Sequence, residues 1–280
     1  MKKIAVINDL SGLGKCSLTA ALPVISALKT QCCPLTTAVL SNQTGYNSYY
    51  CKDLTNEMPL FIEEWKKLHV SFDGILTGFI SNSLQGEIIY DFIQCYKTES
   101  NLIVVDPVMA DDGEIYDCYD NDCVNAIKHL ATAADIITPN LTELCILCEK
   151  NFNQISSLCD DEKINAVKSM CEKYTKKSSK KVVVSGIKLD NNIIANAVFE
   201  ENKFNVIKKV ALKGSFSGTG DILSSFITAK CVNGESLYNA VMKASDFIEK
   251  SIIETINDTG GNYNVADGVH FEKFLTTLGE

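Results

Sequence analysis

The sequence predicts an α/β fold around a parallel sheet, on three observations. Short apolar runs alternate with longer stretches of helical periodicity through the first half of the chain, the pattern of βαβ units. The chain has 280 residues, 46% hydrophobic and 22% charged, enough to bury a sizeable core in one large α/β unit. No repeat, low-complexity segment or long linker divides it, so residues 1–280 read as a single domain.

The elements follow in order. Ile4-Ala5-Val6-Ile7 reads as a strand, Leu18 to Leu28 as a helix and Leu35 to Leu40 as the next strand. The polar, tyrosine-rich stretch from Ser41 to Asp53 is long for a plain connection and is a candidate substrate flap. Gly74 to Thr77 and Asn101 to Val105 are strands flanking an amphipathic helix from Leu84 to Tyr96, with Ile88, Ile89, Phe92 and Ile93 at helical spacing. Ala134 to Thr138 continues as a strand, and Pro139-Asn140 opens a helix carrying Leu141, Leu144, Cys145 and Cys148. Val182 to Ser185 is a strand; Ile193 to Phe199 and Phe204 to Val210 form a hairpin about Glu200-Glu201-Asn202-Lys203. The last third is helical: Ile222 to Cys231, Leu237 to Ile256, and a short piece from His270 to Leu278 beyond the loop Gly260-Gly261-Asn262.

Charge narrows the function. A net charge of -9, from 35 acidic and 26 basic residues spread along the chain, argues against nucleic acid or an anionic membrane as partner and favours a small molecule. No run reaches the roughly 18 apolar residues of a membrane span, and Met1-Lys2-Lys3 precedes no signal-peptide core, so a cytoplasmic protein is expected. The twelve cysteines are scattered and are expected to be reduced, buried thiols. The sequons at Asn42, Asn140 and Asn257 carry no glycosylation meaning in that compartment.

The sharpest motif is Lys213-Gly214-Ser215-Phe216-Ser217-Gly218-Thr219-Gly220-Asp221, after a strand and before a helix. Glycines let the backbone approach a ligand, and free amides at a helix start attract an anion. Asp221 at that mouth could take the proton of an attacking alcohol. Equally, Ser217 or Thr219 could cap the helix while Asp221 complements its dipole. A second signal is Asp106-Pro107-Val108-Met109 together with Thr138-Pro139-Asn140-Leu141-Thr142-Glu143, each at the C-terminal end of an expected parallel strand, where open α/β sheets bind ligands. Asp106, Asn140 and Glu143 converging there could hold magnesium, usually through waters, or could serve as local caps and turns.

Other motifs resolve differently. Asp9 to Ser17 fails the P-loop pattern at Asp9 and Cys16 and the dinucleotide pattern at Ser17, leaving a small-residue turn, either beside a flat ligand or plain. Cys145-Ile146-Leu147-Cys148 has no second pair, and His69, His129 and His270 have no metal spacing, so core packing is expected. The run Lys176 to Lys181 reads as a solvated connection, with a role toward nucleotide phosphates as the alternative.

Taken in order, Ser41-Asn42-Gln43-Thr44-Gly45-Tyr46, Leu76-Thr77-Gly78-Phe79, Asp106-Pro107-Val108-Met109, Ile137-Thr138-Pro139-Asn140 with Glu143, and Gly218-Thr219-Gly220-Asp221 resemble the motifs of pyridoxal kinases in the ribokinase superfamily. The resemblance implies a ribokinase-like three-layer α/β/α sandwich with a central, mainly parallel sheet and a small flap. It implies ATP and Mg2+ as cofactors, a vitamin B6 vitamer as substrate and, by family habit, a homodimer. By the same resemblance Asp221 is the base and the amides of Gly218, Thr219 and Gly220 form the anion hole. Asp106 and Glu143 lie in the magnesium network, and Asp111, Asn140 and Ser185 line the nucleotide phosphates. Asn8, Ser11, Thr44, Tyr46 and Phe79 face the substrate ring.

The chain departs from the family pattern at Asn8-Asp9, where Ser-His is common, at Gln43 for His, and at Phe79 for Tyr; these positions bear on which ring fits. Hydroxymethylpyrimidine kinases are the alternative, because Asn8-Asp9-Leu10-Ser11-Gly12 echoes part of their Gly-Ser-Asp-x-Ser-Gly-Gly motif. A non-catalytic vitamer-binding protein would not need Asp221 and Glu143, and a cysteine-based redox or metal sensor is open to thiol titration. A sugar kinase would want polar residues where Leu10, Leu13, Tyr46, Tyr49 and Tyr50 stand.

Overall fold

A computed structural model describes residues 1–176, 181–212, 214 and 216–279. Lys213 and Ser215 of the glycine motif, and most of the lysine-rich connection, lie outside the described residues. Strands β1 (Lys3–Ser11), β2 (Gln31–Leu40), β4 (Gly74–Thr77), β5 (Leu102–Val105), β8 (Ile136–Ile137) and β9 (Lys181–Leu189) run parallel. They lie in a nine-stranded sheet of order β11-β10-β9-β8-β5-β4-β1-β2-β3, whose antiparallel members are β3 (Cys51–Asp53), β10 (Ile193–Glu200) and β11 (Lys203–Val210). Helices α1 (Ser17–Ala27), α8 (Thr219–Val232) and α9 (Leu237–Thr259) cover one face. The other is covered by α2 (Met58–Lys67), α3 (Ser83–Tyr96), α4 (Asn121–Thr132), α5 (Leu141–Leu147), the short α6 (Phe152–Ser156) and α7 (Asp160–Thr175). This is the mainly parallel α/β/α architecture expected.

The central strands feed two cores. On β1, Ala5 and Ile7 join the cluster under α2 and α3, while Ile4 and Val6 join the cluster under α1 and α8. Alternate side chains of a strand point to opposite faces, so a strand sandwiched between helix layers must be apolar at every position. Among the described residues no helix is long and apolar enough to cross a membrane.

Local differences have physical causes. β2 begins at Gln31 rather than Leu35, carrying Pro34 inside it. β3 pairs only with Ala38 to Leu40, so Pro34 lies on an open stretch of edge where its missing donor costs no partner. The hairpin turn is the two residues Glu201 and Asn202, with φ of 50° and 60°, matching the backbone hand that two-residue hairpins need. The C-terminal piece is a 3₁₀ helix, Glu272–Gly279, rather than an α-helix, and packs Phe274, Leu275 and Leu278 on the α1 side. Helices α2, α4 and α7 and the small ribbon of β6 (Ala110–Asp111) and β7 (Glu114–Ile115) had no counterpart in the sequence reading.

The expected flap is a loop over residues 41–50 that returns to the sheet as β3. Its far end is anchored by Asp53, whose carboxylate accepts from the Thr55 amide at 2.8 Å, from Asn82 Nδ2 at 2.9 Å and from the Ser81 hydroxyl. All twelve cysteines are free, but Cys51, Cys95, Cys118 and Cys159 are exposed, which corrects the expectation that the thiols are buried; each stands on a loop, edge or helix surface. Cys145 and Cys148 pack in the core as expected.

Candidate functional site

The C-terminal ends of the parallel strands open on a cleft of about 1200 Å³. A single small-molecule site measures roughly 300–1000 Å³, so this cleft has room for a nucleotide beside a second small ligand. Every site residue selected from the sequence lines it: Asn8, Ser11, Thr44, Tyr46 and Phe79; Asp106, Asp111, Asn140, Glu143 and Ser185; and Gly218, Thr219, Gly220 and Asp221.

The first turn of α8 faces the cleft, and the two glycines before Asp221 serve different ends. Gly218 is the N-cap residue with φ of 80°, and a Cβ there would lie 1.9 Å from the Lys15 carbonyl oxygen. Only glycine lets the chain pass that close to the start of α1. At Gly220 a Cβ would meet nothing within 4 Å, so the space beyond the helix mouth is open. Among the described residues no side chain caps α8. Thr219 Oγ1 donates back to the Phe216 carbonyl at 3.1 Å, and Ser217 Oγ accepts from Gln43 Nε2 at 3.2 Å. The bland alternative, a helix capped by Ser217 or Thr219, is therefore not what forms, and the positive end of α8 faces the cleft.

Asp221 sits half-buried in that first turn. Asn8 Nδ2 donates to its Oδ1 at 3.0 Å, and the Ser17 amide donates to it as well. Burial is the main cause that pushes its carboxyl up to about 6; the charge of Asp9 adds to the rise, and the Ser17 and Asn8 donors oppose it. Asn8 is itself fixed: its Oδ1 accepts from the Asp9 amide at 3.0 Å and the Phe79 amide at 2.9 Å. The side chain expected to read a ring thus bonds Asp221 and the ends of β1 and β4, which leaves it one Nδ2 hydrogen. Replacing Asn8 by Ala should raise the acid-limb pKa of the catalysed reaction and lower kcat by about tenfold, the scale of one hydrogen bond to a charged group. A pH–rate profile with an unmoved acid limb would show Asn8 to be mere wall.

Other ring-facing candidates are placed variously. Ser11 is fully buried and donates to Asp9 Oδ2 at 2.8 Å. Thr44 is exposed in the flap, while the Tyr46 hydroxyl bonds the Asp267 carboxylate, which pushes that phenol up to about 12. Phe79 stacks on Tyr119 with ring centroids 5.8 Å apart. Gln43, buried, donates to the Ala266 carbonyl at 3.1 Å and accepts from the Gly45 amide at 2.7 Å, tying the flap to the 3₁₀ turn Val265–Asp267.

The acidic residues crowd the middle of the cleft. Burial pushes the carboxyls of Asp106 and Glu143 up, and each feels a neighbouring carboxylate: Asp221 for Asp106, Asp106 for Glu143. Glu143 Oε1 accepts from the Met109 amide at 3.0 Å and Oε2 from the Asn140 amide at 2.8 Å, while Asn140 Oδ1 accepts from the Glu143 amide at 2.9 Å. The pair forms a capping box for α5 and lines the cleft as well. Asn140 Nδ2 donates to the Ala110 carbonyl at 2.7 Å, holding the β6–β7 ribbon over the site. Asp111 is exposed on that ribbon, and Ser185 is joined to Asn140 by an isolated parallel bridge. Among the described residues no three His, Cys, Asp or Glu side chains group closely enough to hold a metal ion. A divalent cation here would take most of its oxygens from water and ligand phosphates, which suits Mg2+.

Sequence reasoning missed the far end of the cleft. There Asn196 of β10 links the Gly186 amide (3.1 Å) to Ser245 of α9 (2.9 Å), and Ile248 and Ile252 of α9 face Val210 and Leu212. No motif marks these residues, because a hairpin and a distant helix supply them one at a time.

Comparison with known proteins agrees with this geometry. The profile of a family described as phosphomethylpyrimidine kinase matches residues 16–266. A candidate phosphomethylpyrimidine kinase from Bacteroides thetaiotaomicron, crystallised in one form with pyridoxal, is 37% identical with a TM-score of 0.92, over 100% of this chain and 96% of that one. Pyridoxal kinase from Lactobacillus plantarum is 25% identical with a TM-score of 0.87, over 99% and 96%. The hydroxymethylpyrimidine/phosphomethylpyrimidine kinase of Aquifex aeolicus is 29% identical over 209 residues, 73% of this chain and 77% of that protein. With a match spanning most of its length and a ribokinase-like sheet beneath the cleft, the chain belongs to the phosphomethylpyrimidine kinase family, which its pyridoxal kinase neighbours resemble in fold.

Proposed function

We propose that this kinase transfers the terminal phosphoryl group of ATP to the 5'-hydroxymethyl group of a vitamin B6 vitamer. The observation that carries the reading is Asp221, a carboxylate oriented by Asn8 at the uncapped mouth of α8 within a cleft large enough for two ligands. In this reading Asp221 accepts the hydroxyl proton as the oxygen attacks phosphorus. The main-chain amides of Gly218 to Gly220, with the α8 dipole behind them, receive the charge on the moving phosphoryl group. Asn140, Ser185 and Asp111 face the nucleotide phosphates. Asp106 and Glu143 would hold Mg2+ through water, and that ion would neutralise phosphate oxygens. Buried carboxyls pushed up by burial and by a neighbouring carboxylate, Asp221 beside Asp106 and Asp106 beside Glu143, fit this use, since a cation relieves the crowding.

The aromatic surround of Phe79, Tyr46 and Tyr49 suits a flat heterocycle. The Bacteroides relative crystallised with pyridoxal supports a B6 vitamer. One observation favours hydroxymethylpyrimidine as the second reading: Asp9 and Ser11, the part of β1 that echoes the pyrimidine-kinase motif, form a buried hydrogen-bonded pair lining the cleft. Phosphorylation with ATP and Mg2+ should be assayed on pyridoxal, pyridoxamine, pyridoxine and hydroxymethylpyrimidine side by side. Preference for any B6 vitamer is the expected result. Preference for the pyrimidine would replace the substrate, and no turnover on any of the four would remove the proposal.

A further inference from the structure

Among the described residues three lysines line the cleft, Lys163, Lys188 and Lys209. Two are neutralised: Lys188 Nζ pairs with Asp112 at 2.5 Å, and Lys209 Nζ with Asp246 at 2.5 Å and Glu249 at 2.9 Å. Lys163, in the first turns of α7, is only 8% exposed, and its ammonium donates to the Lys188 carbonyl at 2.9 Å. No ion pair joins it to any carboxylate among the described residues. An ammonium has three donors, and a buried one held by a single neutral acceptor keeps two N–H bonds and a full charge uncompensated. Because Lys163 lines the cleft, those two donors are open to an anionic ligand that enters it.

Its place in the cleft indicates which ligand. Lys188 lies three residues beyond Ser185 on β9, and Ser185 is bridged to Asn140. Lys188 also pairs with Asp112, the neighbour of Asp111, so Lys163 lies toward the same end of the cleft as the residues that face the nucleotide phosphates in the proposed function, on which this inference rests. We infer that Lys163 is an anion contact for the phosphate chain of the nucleotide. A flexible, strongly hydrated point charge suits this task, because its donors can follow the phosphates as one of them leaves. Since the acidic residues crowd the middle of the cleft, Lys163 gives the polyphosphate a cationic partner supplied by the protein itself.

The test compares ADP with adenosine by calorimetry in the wild-type protein and in Lys163→Gln and Lys163→Arg. Lys163→Gln should weaken ADP about tenfold, the scale of one charge-assisted hydrogen bond, and leave adenosine within about twofold; Lys163→Arg should retain most ADP affinity. Unchanged ADP affinity in Lys163→Gln, or equal loss of ADP and adenosine, would overturn the assignment, the second outcome meaning that Lys163 only ties α7 to β9. Should Lys163→Gln fail to fold, a crystal structure of the wild-type protein with ADP decides instead. Nζ within about 3 Å of a phosphate oxygen supports the contact, and an ammonium still bonded only to the Lys188 carbonyl rejects it. A wild-type protein that binds neither ligand would sink the kinase mechanism itself, a result separate from either.

Discussion

Under the proposed function, Asp221→Ala should lower kcat by about a thousandfold while ADP and the proposed vitamer bind nearly as before, because a general base contributes roughly 10²–10⁴ to rate and little to ground-state binding. Single-turnover kinetics with calorimetry on both ligands separates the two effects; turnover within tenfold of wild type would take Asp221 out of the reaction. The pH dependence is equally specific. With its carboxyl pushed up to about 6, Asp221 must lose a proton before it can accept one, so kcat/KM should rise with pH through about 6 and level off above. That limb should be missing in whatever activity Asp221→Ala retains.

The same shift has a stability consequence of opposite sense. The folded protein holds the Asp221 proton more tightly than the unfolded chain, so stability from this group falls as pH rises from the ordinary carboxylate range to about 6. Asp221→Asn, which removes the charge and keeps the shape, should therefore gain about 3 kcal/mol over wild type at pH 8 and less than about 1 kcal/mol at pH 4. Thermal melts at the two pH values read this directly. A site that stabilises the protein when its reactive group is neutralised illustrates the usual conflict between activity and stability.

Gly218→Ala and Gly220→Ala should fail in different ways although they stand two residues apart. A Cβ at Gly218 would run into the Lys15 carbonyl at 1.9 Å, from a backbone with φ of 80°. The loop cannot keep its course, and the variant should lose more than about 2 kcal/mol of stability and at least a hundredfold in kcat as the amides lose their aim. At Gly220 the added methyl meets nothing in the protein and occupies the space at the helix mouth. That variant should melt close to wild type and show its damage in the KM for ATP and in kcat. Equal melting temperatures for the two variants would mean that Gly218 is not held against α1 as described.

Legibility in the sequence followed the range of the interaction concerned. The strands of the central sheet could be read because burial on both faces forces an unbroken apolar run, as in Ile4 to Ile7 and Leu102 to Val105. The polar helices escaped reading. Of the sixteen residues of α7, only Lys163, Val167, Met170, Cys171 and Tyr174 are buried, so its apolar stripe is thin. In the site, Gly218 to Asp221 and Asn140 to Glu143 are local motifs whose chemistry lies within a few residues. The roles of Asn8, Gln43 and Lys163 are set by partners far off in the chain, at Asp221, Ala266 and Lys188.

By itself, then, the sequence determined the parallel α/β frame, the glycine turn before α8 and the acids at the strand ends, because each depends on side-chain type and spacing within one element. Only the tertiary structure decided that α8 has no side-chain cap among the described residues, that Asn8 is bonded to Asp221, and that buried Lys163 meets the Lys188 carbonyl and no carboxylate among those residues. Each of those depends on which groups the packing brings within hydrogen-bond reach, and spacing along the chain does not encode that distance.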